Sequence, residues 1–345
     1  QTCLYTGKLH TLKSKKMKII NKMVKQTGKP NPEEPCESRG SSTVLRETWG
    51  ETPLVYSAQI RIILIIFGCG LNICCYGQNI LSLYPNTIPN SIGVIKKIDE
   101  PTLEIFLPKN QKQRTAAVII FPGGAYSFLA YKEEGTSIAK AFAQNGIAAF
   151  VVKYRLPSRE TMKDKSLGPL MDAQQAIKMV RSKSDSWNLD PGKIGVAGFS
   201  AGGHLASTLV THFAKSYIPN QENISLRPDF AILVYPVISM GDHLTHIGSK
   251  ISLLGMQPTK EKLRMFSNEL QVTKETPPTY LTHCGDDQIV DVNNSIVFYQ
   301  ALQKNGVHAE LHLFPKGNHG FTQRLPVSEW MDPMLVFLKR EGFYK

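Results

Sequence analysis

Cysteine is scarce over most of this sequence. Five of its six cysteines precede residue 76, and only Cys284 lies in the remainder of the chain. We therefore expect no internal disulfide framework in the main body, which we take as residues 78–345. The scarcity of cysteine does not indicate the cellular compartment of the protein, because domains without disulfides occur in oxidising and reducing environments alike.

Apolar runs long enough to cross a bilayer are also missing. The run over residues 62–71 has ten residues, whereas a membrane-spanning helix needs about 20, so we expect no stable membrane span. A basic residue before this run and small residues after it favour a signal peptide over 60–77, cleaved before Gln78. This predicts a secreted or periplasmic protein. Lipid attachment at Cys69 is an alternative, and so is a buried helix in a cytoplasmic protein.

Acidic residues are fewer than basic ones. The 40 Lys and Arg exceed the 28 Asp and Glu and give a net charge of +12, and residues 1–59 hold 10 basic and 5 acidic residues of these. The basic stretch in that segment has no interleaved aromatic residues and no recognisable nucleic-acid-binding module. We predict a solvated tail with no nucleic-acid partner. Because a signal peptide stands first in a precursor, we expect residues 1–59 to be a disordered or non-native extension.

The main body alternates strand patterns with helical patterns. Such alternation predicts an α/β fold with a mainly parallel central sheet and helices on both faces. Residues 237–277 lack a strand pattern and predict a small lid or insertion. GVIKKI (93–98) is a weaker strand pattern that would pair with the strand predicted over 102–107. The predicted strands cover 102–107, 116–121, 147–155, 194–197, 230–236, 278–284 and 308–315. The predicted helices cover 131–145, 169–184, 294–305 and 327–341, the last with an alternative start at Pro333.

The stretch KIGVAGFSAGGHLAS places a serine between two glycines. Gly198, Ser200 and Gly202 form the pattern G-x-S-x-G, after an apolar strand pattern and before a helical one. This is typical of a nucleophilic serine on a sharp strand-to-helix turn, where larger side chains at the glycine positions would collide. A plain glycine-rich turn is the competing interpretation, but the flanking strand and helix favour a nucleophile at Ser200.

A serine hydroxyl needs a general base, and the base needs an orienting carboxylate. His319 follows the last predicted strand within FPKGNHGF, flanked by glycines, and we predict it as the base. His204, on the helix after the serine, is interpreted as a structural histidine. Three carboxylates follow strand 278–284, namely Asp286, Asp287 and Asp291. Asp291 suits a helix N-cap, while the first two are both candidates for the acid.

The oxyanion of an acyl-transfer intermediate needs N–H donors. One predicted donor is the amide of Ala201, directly after the nucleophile. The other is expected in the loop PGGAY after strand 116–121, where Gly123 and Gly124 are the candidates and Ala125 is a further one.

No set of side chains with metal-ligand spacing stands out. His243 and His246 are three residues apart with Asp242 beside them, but nothing completes a ligand set. We therefore predict no metal and no cofactor.

Taken together, these pieces resemble the α/β-hydrolase serine esterases, in particular the bacterial acetylxylan-esterase-like group. The similarity runs from about Leu83 to about Tyr344 and is carried by LYPNTIPNS, IIFPGGAYSFLAYKEEG, VVKYRLP, GFSAGGHLAS, THCGDDQIVDV and FPKGNHGF. It implies an α/β-hydrolase catalytic domain over residues 78–345.

The resemblance also implies which carboxylate is catalytic. In such enzymes the aspartate lies four residues after a strand-end histidine and three before a valine. His283, Asp287 and Val290 match that spacing, which favours Asp287 over its neighbour. Two positions depart from the pattern: Asp291 stands where a proline often follows the valine, and Ala125 replaces a third glycine.

The implied function is a serine esterase that removes acyl groups, above all acetyl, from a carbohydrate ester such as acetylated xylan. A small-ester carboxylesterase is an alternative. A peptidase of the prolyl-peptidase type shares the triad, but the stretch before strand 116–121 is too short for the propeller domain of such a peptidase. An endo-xylanase needs two carboxylates flanking a glycosidic bond, and no such pair stands out. The sequence makes no prediction about oligomeric state.

Overall fold

The computed structural model describes residues 79–93, 96–109 and 111–345 of the chain. The expectations for residues 1–59, for the signal peptide at 60–77 and for lipid attachment at Cys69 lie outside the described residues. Within the described ranges, no helix combines the length and the apolarity that crossing a bilayer requires.

One eight-stranded sheet forms the centre of the described chain. Its order is β1-β2-β4-β3-β5-β6-β7-β8, with β2 antiparallel to β1 and β4 and all pairs from β4 to β8 parallel. This confirms the predicted mainly parallel sheet. The strands are β1 Ile80–Ser82, β2 Thr102–Phe106, β3 Thr115–Phe121, β4 Ala148–Lys153, β5 Leu189–Phe199, β6 Ala231–Val234, β7 Thr279–Cys284 and β8 Ala309–Phe314.

Helices cover both faces of this sheet because the central strands are apolar on both faces. In β3, Ala117 and Ile119 join one buried cluster while Val118 and Ile120 join the other, as the period-2 alternation of strand side chains requires. The helices are α1 Ser137–Gln144, α2 Gly168–Ser182, α3 Ala201–His212, α4 Ile247–Leu254, α5 Lys260–Phe266, α6 Asn293–Lys304 and α7 Val327–Arg340. Residues of α2, α3 and α6 belong to the first cluster, and residues of α1 and α7 to the second.

The prediction of a strand over GVIKKI (93–98) is wrong for the described residues 93 and 96–98, none of which lies in a strand. Lys97–Asp99 form a 3₁₀ turn, and β2 pairs with β1 on one side and β4 on the other. Both hydrogen-bonding edges of β2 are therefore occupied, so no edge is left for a third partner strand.

Two helices differ in detail from their predictions. The helix predicted over 131–145 opens with a π-helical segment, Tyr131–Thr136, before α1. The alternative start at Pro333 is wrong, since α7 begins at Val327 and continues through the proline. Its buried side chains lie on both sides of Pro333, from Trp330 to Leu338, so packing stabilises the helix despite the missing N–H donor.

The segment 237–277 leaves β6 at the carboxyl end of the sheet and returns to the beginning of β7, which is parallel to β6. It contains α4, α5 and the 3₁₀ turn Asn268–Leu270, and no strand. The side chain of Asn294 anchors the beginning of this segment, because Oδ1 of Asn294 accepts the backbone N–H groups of Ile238 and Ser239 at 2.9 and 3.1 Å. Its role as a lid stays a prediction.

Candidate active site

Ser200 lies at the corner between β5 and α3. Its backbone has φ 52° and ψ −118°, a conformation that non-glycine residues adopt only when their surroundings enforce it. A Cβ added at Gly198 would lie 2.2 Å from the carbonyl oxygen of Gly202, and one added at Gly202 would lie 2.0 Å from that of Phe121. The two glycines of the motif are therefore required for steric reasons.

Ser200, His319 and Asp287 are in hydrogen-bonding contact. Nε2 of His319 lies 2.9 Å from Oγ of Ser200, and Nδ1 of the same ring lies 2.7 Å from Oδ2 of Asp287. The three residues follow β5, β8 and β7. Because the carboxyl ends of parallel strands meet at one edge of the sheet, residues distant in sequence converge there.

Asp287 is held as an ionised acceptor. Its Oδ1 accepts two backbone N–H groups of the following turn, both at 2.9 Å. Burial raises the pKa of the Asp287 carboxyl, but hydrogen bonds from His283 and His319 outweigh this and hold the pKa well below its usual range. An ionised carboxylate assigns the proton to Nδ1 of His319. Nε2 is then the acceptor that faces the Ser200 hydroxyl.

His283, the strand-end histidine, supports the same carboxylate. Its Nε2 lies 3.2 Å from Oδ2 of Asp287 and 3.0 Å from the carbonyl oxygen of Val290, and its Nδ1 lies 2.8 Å from Oγ of Ser295. Two acceptors around Nε2 assign the ring proton to that nitrogen, so Nδ1 accepts from the serine hydroxyl. In the sequence His283 only marks a spacing, whereas in the structure its hydrogen bond to Oδ2 helps to orient Asp287.

The other two candidate carboxylates do not touch His319. Asp286 accepts the backbone N–H of Asn318 at 2.7 Å and so holds the loop that carries the histidine. Asp291 accepts the backbone N–H of Asn293 at 2.8 Å, where α6 begins, as expected of a residue that caps a helix.

The loop after β3 presents free backbone donors. Gly124, Ala125 and Tyr126 have φ values of 124°, 54° and 58°, and a Cβ added at Gly124 would lie 2.2 Å from the carbonyl oxygen of Phe128. In the described ranges, no hydrogen bond uses the N–H of Gly124, Ala125 or Ala201. These amides are available to an oxyanion.

The expectation that the Gly123 amide serves as such a donor conflicts with the structure. This N–H donates to Oε2 of Glu134 at 2.7 Å, so a carboxylate within the protein already occupies it. Glu134 is buried, with 5% of its surface exposed, and no sequence pattern points to it. In the letters KEEG, nothing distinguishes it from the exposed Glu133.

His204 is a buried structural histidine, as predicted. Its Nε2 donates to the carbonyl oxygen of Phe266 at 2.8 Å, and Nδ1 accepts from the hydroxyl of Tyr126 at 2.9 Å. Burial is the main cause that lowers the pKa of His204 to about 4. The ring is therefore neutral at neutral pH and connects α3 to the loop after β3 and to the end of α5.

This neutral histidine predicts a pH-dependent loss of stability. An unfolded histidine binds a proton below its ordinary pKa of about 6.5, whereas folded His204 does so only near pH 4. The contribution of His204 to the free energy of unfolding is fully present above about pH 6.5 and falls as the pH decreases to about 4. It falls because the unfolded state binds more protons than the folded state in that window. Between pH 7.5 and 4.5 the loss from this residue is about 2–3 kcal/mol.

Urea unfolding of wild type and His204→Gln at both pH values measures this loss. The glutamine amide can donate to Phe266 and accept from Tyr126 but does not titrate. We expect the variant to lose about 2 kcal/mol less on acidification than the wild type does. Equal losses would mean that His204 is not the group responsible.

Two of the three residues considered for a metal site have other partners. Asp242 forms an ion pair with Lys250, and His246 caps α4 by accepting the backbone N–H of Ser249 at 3.3 Å. Across the described residues, no group of three or more His, Cys, Asp or Glu is arranged to hold a metal ion. The expectation of no metal and no cofactor stays a prediction.

Comparison with known proteins gives a family match and several relatives. Residues 103–302 match the family model described as BD-FAE. The chain is 37% identical over 220 residues to an acetylxylan esterase of Xylanibacter ruminicola, covering 63% of this chain and 42% of that protein. It is 36% identical over 224 residues to endo-1,4-beta-xylanase B of Butyrivibrio fibrisolvens, covering 64% and 35%. The chain thus spans less than half the length of both proteins.

Solved structures share the whole fold of the main body. An acetyl ester-xyloside bifunctional hydrolase from Caldicellulosiruptor lactoaceticus is 37% identical, with a TM-score of 0.69, over 77% of this chain and 97% of that one. An esterase from Thermogutta terrifontis is 27% identical, with a TM-score of 0.60, over 76% and 96%. The fold is that of the α/β-hydrolases.

Proposed function

Because this chain belongs to the BD-FAE family, we propose that it is a serine esterase that removes acetyl groups from a carbohydrate such as xylan. The observation that carries the proposal is the row of hydrogen bonds from Ser200 through His319 to Asp287, at 2.9 and 2.7 Å. The relatives named for acetylxylan and acetyl ester-xyloside hydrolysis support the substrate class.

In the first half-reaction, Oγ of Ser200 attacks the ester carbonyl carbon while Nε2 of His319 takes its proton. Asp287 keeps the imidazole in the required tautomer and stabilises the cation that forms. The negative charge on the carbonyl oxygen is stabilised by the N–H groups of Gly124 and Ala201, with Ala125 as a further donor. The C–O bond to the sugar then breaks, and His319 gives the proton to the departing sugar oxygen, which leaves as a hydroxyl group.

In the second half-reaction, water replaces the sugar. His319 takes a proton from the water, whose oxygen attacks the acetyl-enzyme carbonyl carbon, and the same amides stabilise the second oxyanion. The bond to Oγ of Ser200 breaks, acetate leaves, and the proton returns to the serine. Every proton moves through His319, so no step requires a metal or a cofactor.

The proposal extends to location. Xylan is a polymer that does not cross the cytoplasmic membrane, so an enzyme that acts on it works outside that membrane. A secreted or periplasmic protein, with residues 60–77 as its signal peptide, fits this substrate.

Four substrates test the proposal in one assay series: acetylated xylan, p-nitrophenyl acetate, a proline-containing peptide and deacetylated xylan. We expect acetate release from the first two, no peptide cleavage and no new reducing ends from the xylan backbone. Hydrolysis of p-nitrophenyl acetate without acetate release from acetylated xylan would favour the small-ester carboxylesterase, which the Thermogutta terrifontis esterase structure also supports. Cleavage of the peptide or of the xylan backbone would contradict the proposal.

A further inference from the structure

The proposed mechanism leaves one buried carboxylate beside the site unused. Glu134 lies in the π-helical segment Tyr131–Thr136, a few residues beyond Gly124 and Ala125, the two residues that we call the oxyanion loop. Its Oε2 accepts the N–H of Gly123 at 2.7 Å, and its Oε1 accepts the hydroxyl of Tyr235 at 3.0 Å. A carboxylate is costly to bury, and short π-helical segments are frequent at functional sites.

The first contact of Glu134 orients the peptide group that precedes the oxyanion loop. The peptide between Pro122 and Gly123 is held at both ends, because its carbonyl oxygen accepts the hydroxyl of Tyr154 at 2.7 Å and its N–H donates to Glu134. Tyr154 and Glu134 are both buried. Two hydrogen bonds in opposite directions fix the plane of this peptide.

The next peptide group carries the proposed donor. The carbonyl oxygen of Gly123 accepts the N–H of Ala130 at 3.0 Å. In a trans peptide the N–H points opposite to the carbonyl oxygen, so the N–H of Gly124 points away from the π-helical segment. The direction of this oxyanion donor therefore depends on how Gly123 is held.

The second contact of Glu134 leads to the catalytic histidine loop. The hydroxyl oxygen of Tyr235 also lies 2.9 Å from Oγ1 of Thr322, three residues after His319. The rings of Tyr235 and His319 are 4.8 Å apart between centroids. Tyr235 directly follows β6 and has a φ of 37°, a conformation that its buried contacts must stabilise.

The charge of Glu134 faces opposing influences. Burial raises the pKa of its carboxyl above its usual range, and the hydrogen bonds from Gly123 and Tyr235 and the nearby His319 offset this only in part. Oε2 accepts from the backbone N–H of Gly123, which can only donate, whereas Oε1 accepts from the Tyr235 hydroxyl, which can also act as an acceptor.

We propose that Glu134 is a positioning residue of the esterase reaction: its carboxylate, held between the N–H of Gly123 and the hydroxyl of Tyr235, aligns the oxyanion loop with the loop of His319. This assignment rests on the proposed function, since it gives Glu134 a role in that same reaction. Glu134 does not touch the substrate and acts through the two residues it binds.

Steady-state hydrolysis of p-nitrophenyl acetate by Glu134→Ala, Glu134→Gln and the control Glu133→Gln tests the assignment. In Glu134→Ala we expect kcat to fall about 100-fold with KM within about 3-fold of wild type, because the oxyanion donors act mainly in the transition state. In Glu134→Gln the amide oxygen can still accept from Gly123, so we expect kcat to recover to within about 10-fold of wild type. Exposed Glu133 has no such contacts, and its variant should match the wild type.

A second readout separates alignment from general destabilisation. The rate at which an aryl phosphonate modifies Ser200 should fall in parallel with kcat, because the phosphonyl oxygen takes the oxyanion position. Melting temperature and circular dichroism establish that each variant is folded at the assay temperature. If Glu134→Ala does not fold, Tyr235→Phe replaces it, with an expected fall in kcat of about 10-fold at unchanged KM.

Several results would overturn the assignment. A folded Glu134→Ala, or Tyr235→Phe in its place, with kcat within 3-fold of an active wild type would remove it and leave the proposed function intact. A loss of kcat that only tracks the unfolded fraction would do the same. A wild-type protein that hydrolyses no ester, or a Ser200→Ala variant as active as wild type, would overturn the proposed function and the assignment together.

Discussion

Ser200→Ala is expected to lower kcat for ester hydrolysis on the order of 10⁵-fold, because it removes the atom that attacks the carbonyl carbon. The residual rate would come from the oxyanion donors and from substrate binding alone. Alanine fits the same backbone turn and is smaller than serine, so the variant should remain folded. The measurement is acetate release from acetylated xylan and p-nitrophenol release from p-nitrophenyl acetate, with melting temperature as the folding check.

The matched control is Ser182→Ala, an exposed serine on α2 whose hydroxyl bonds only within its own helix. We expect this control to keep wild-type activity. Ser200→Ala could instead keep more than about 1% of wild-type activity, and this activity could resist a serine-directed phosphonate. That result would show that another group is the nucleophile, and the proposed mechanism would be wrong.

Asp287→Asn is expected to lower kcat about 10⁴-fold, the second-largest effect among these variants. An amide in place of Oδ2 can present its NH₂ group to Nδ1 of His319. This would move the ring proton to Nε2, which then cannot accept the proton of Ser200. The same substitution also removes an acceptor from His283, so some loss of stability should accompany the loss of activity.

Asp286→Asn is the matched control for this prediction. Its amide oxygen can still accept the N–H of Asn318, so the histidine loop keeps its anchor and kcat should fall less than about 10-fold. The two kcat values, measured with melting temperatures, decide between the neighbouring carboxylates. A larger loss in Asp286→Asn than in Asp287→Asn would contradict the assigned acid.

The parts of the fold that depend on local patterning followed from the sequence. The apolar run over 116–121 became β3, buried on both faces, and the G-x-S-x-G motif became the corner between β5 and α3. Histidine and acid were expected in loops after late strands, and those loops meet at one edge of the sheet because the strands are parallel.

The misjudged elements depend on distant partners. Residues 93–98 carry a weak strand pattern, but β1 and β4 occupy both edges of β2. The Gly123 amide follows the expected strand in the expected loop, yet Glu134 takes its N–H. Pro333 looks like a helix start locally, while the side chains buried on both sides of it continue the helix.

By itself the sequence identified the candidates for the hydroxyl and the imidazole and a pair of neighbouring candidate carboxylates, because glycines and strand periods express local backbone requirements. The resemblance to known esterases then favoured Asp287. Only the tertiary structure decided that Asp287 contacts His319, that His283 supports it, and that Gly123 faces Glu134. The physical reason is that a hydrogen bond depends on the direction and separation of two groups. For groups far apart in sequence, both quantities are set by the packing of the whole sheet and its loops.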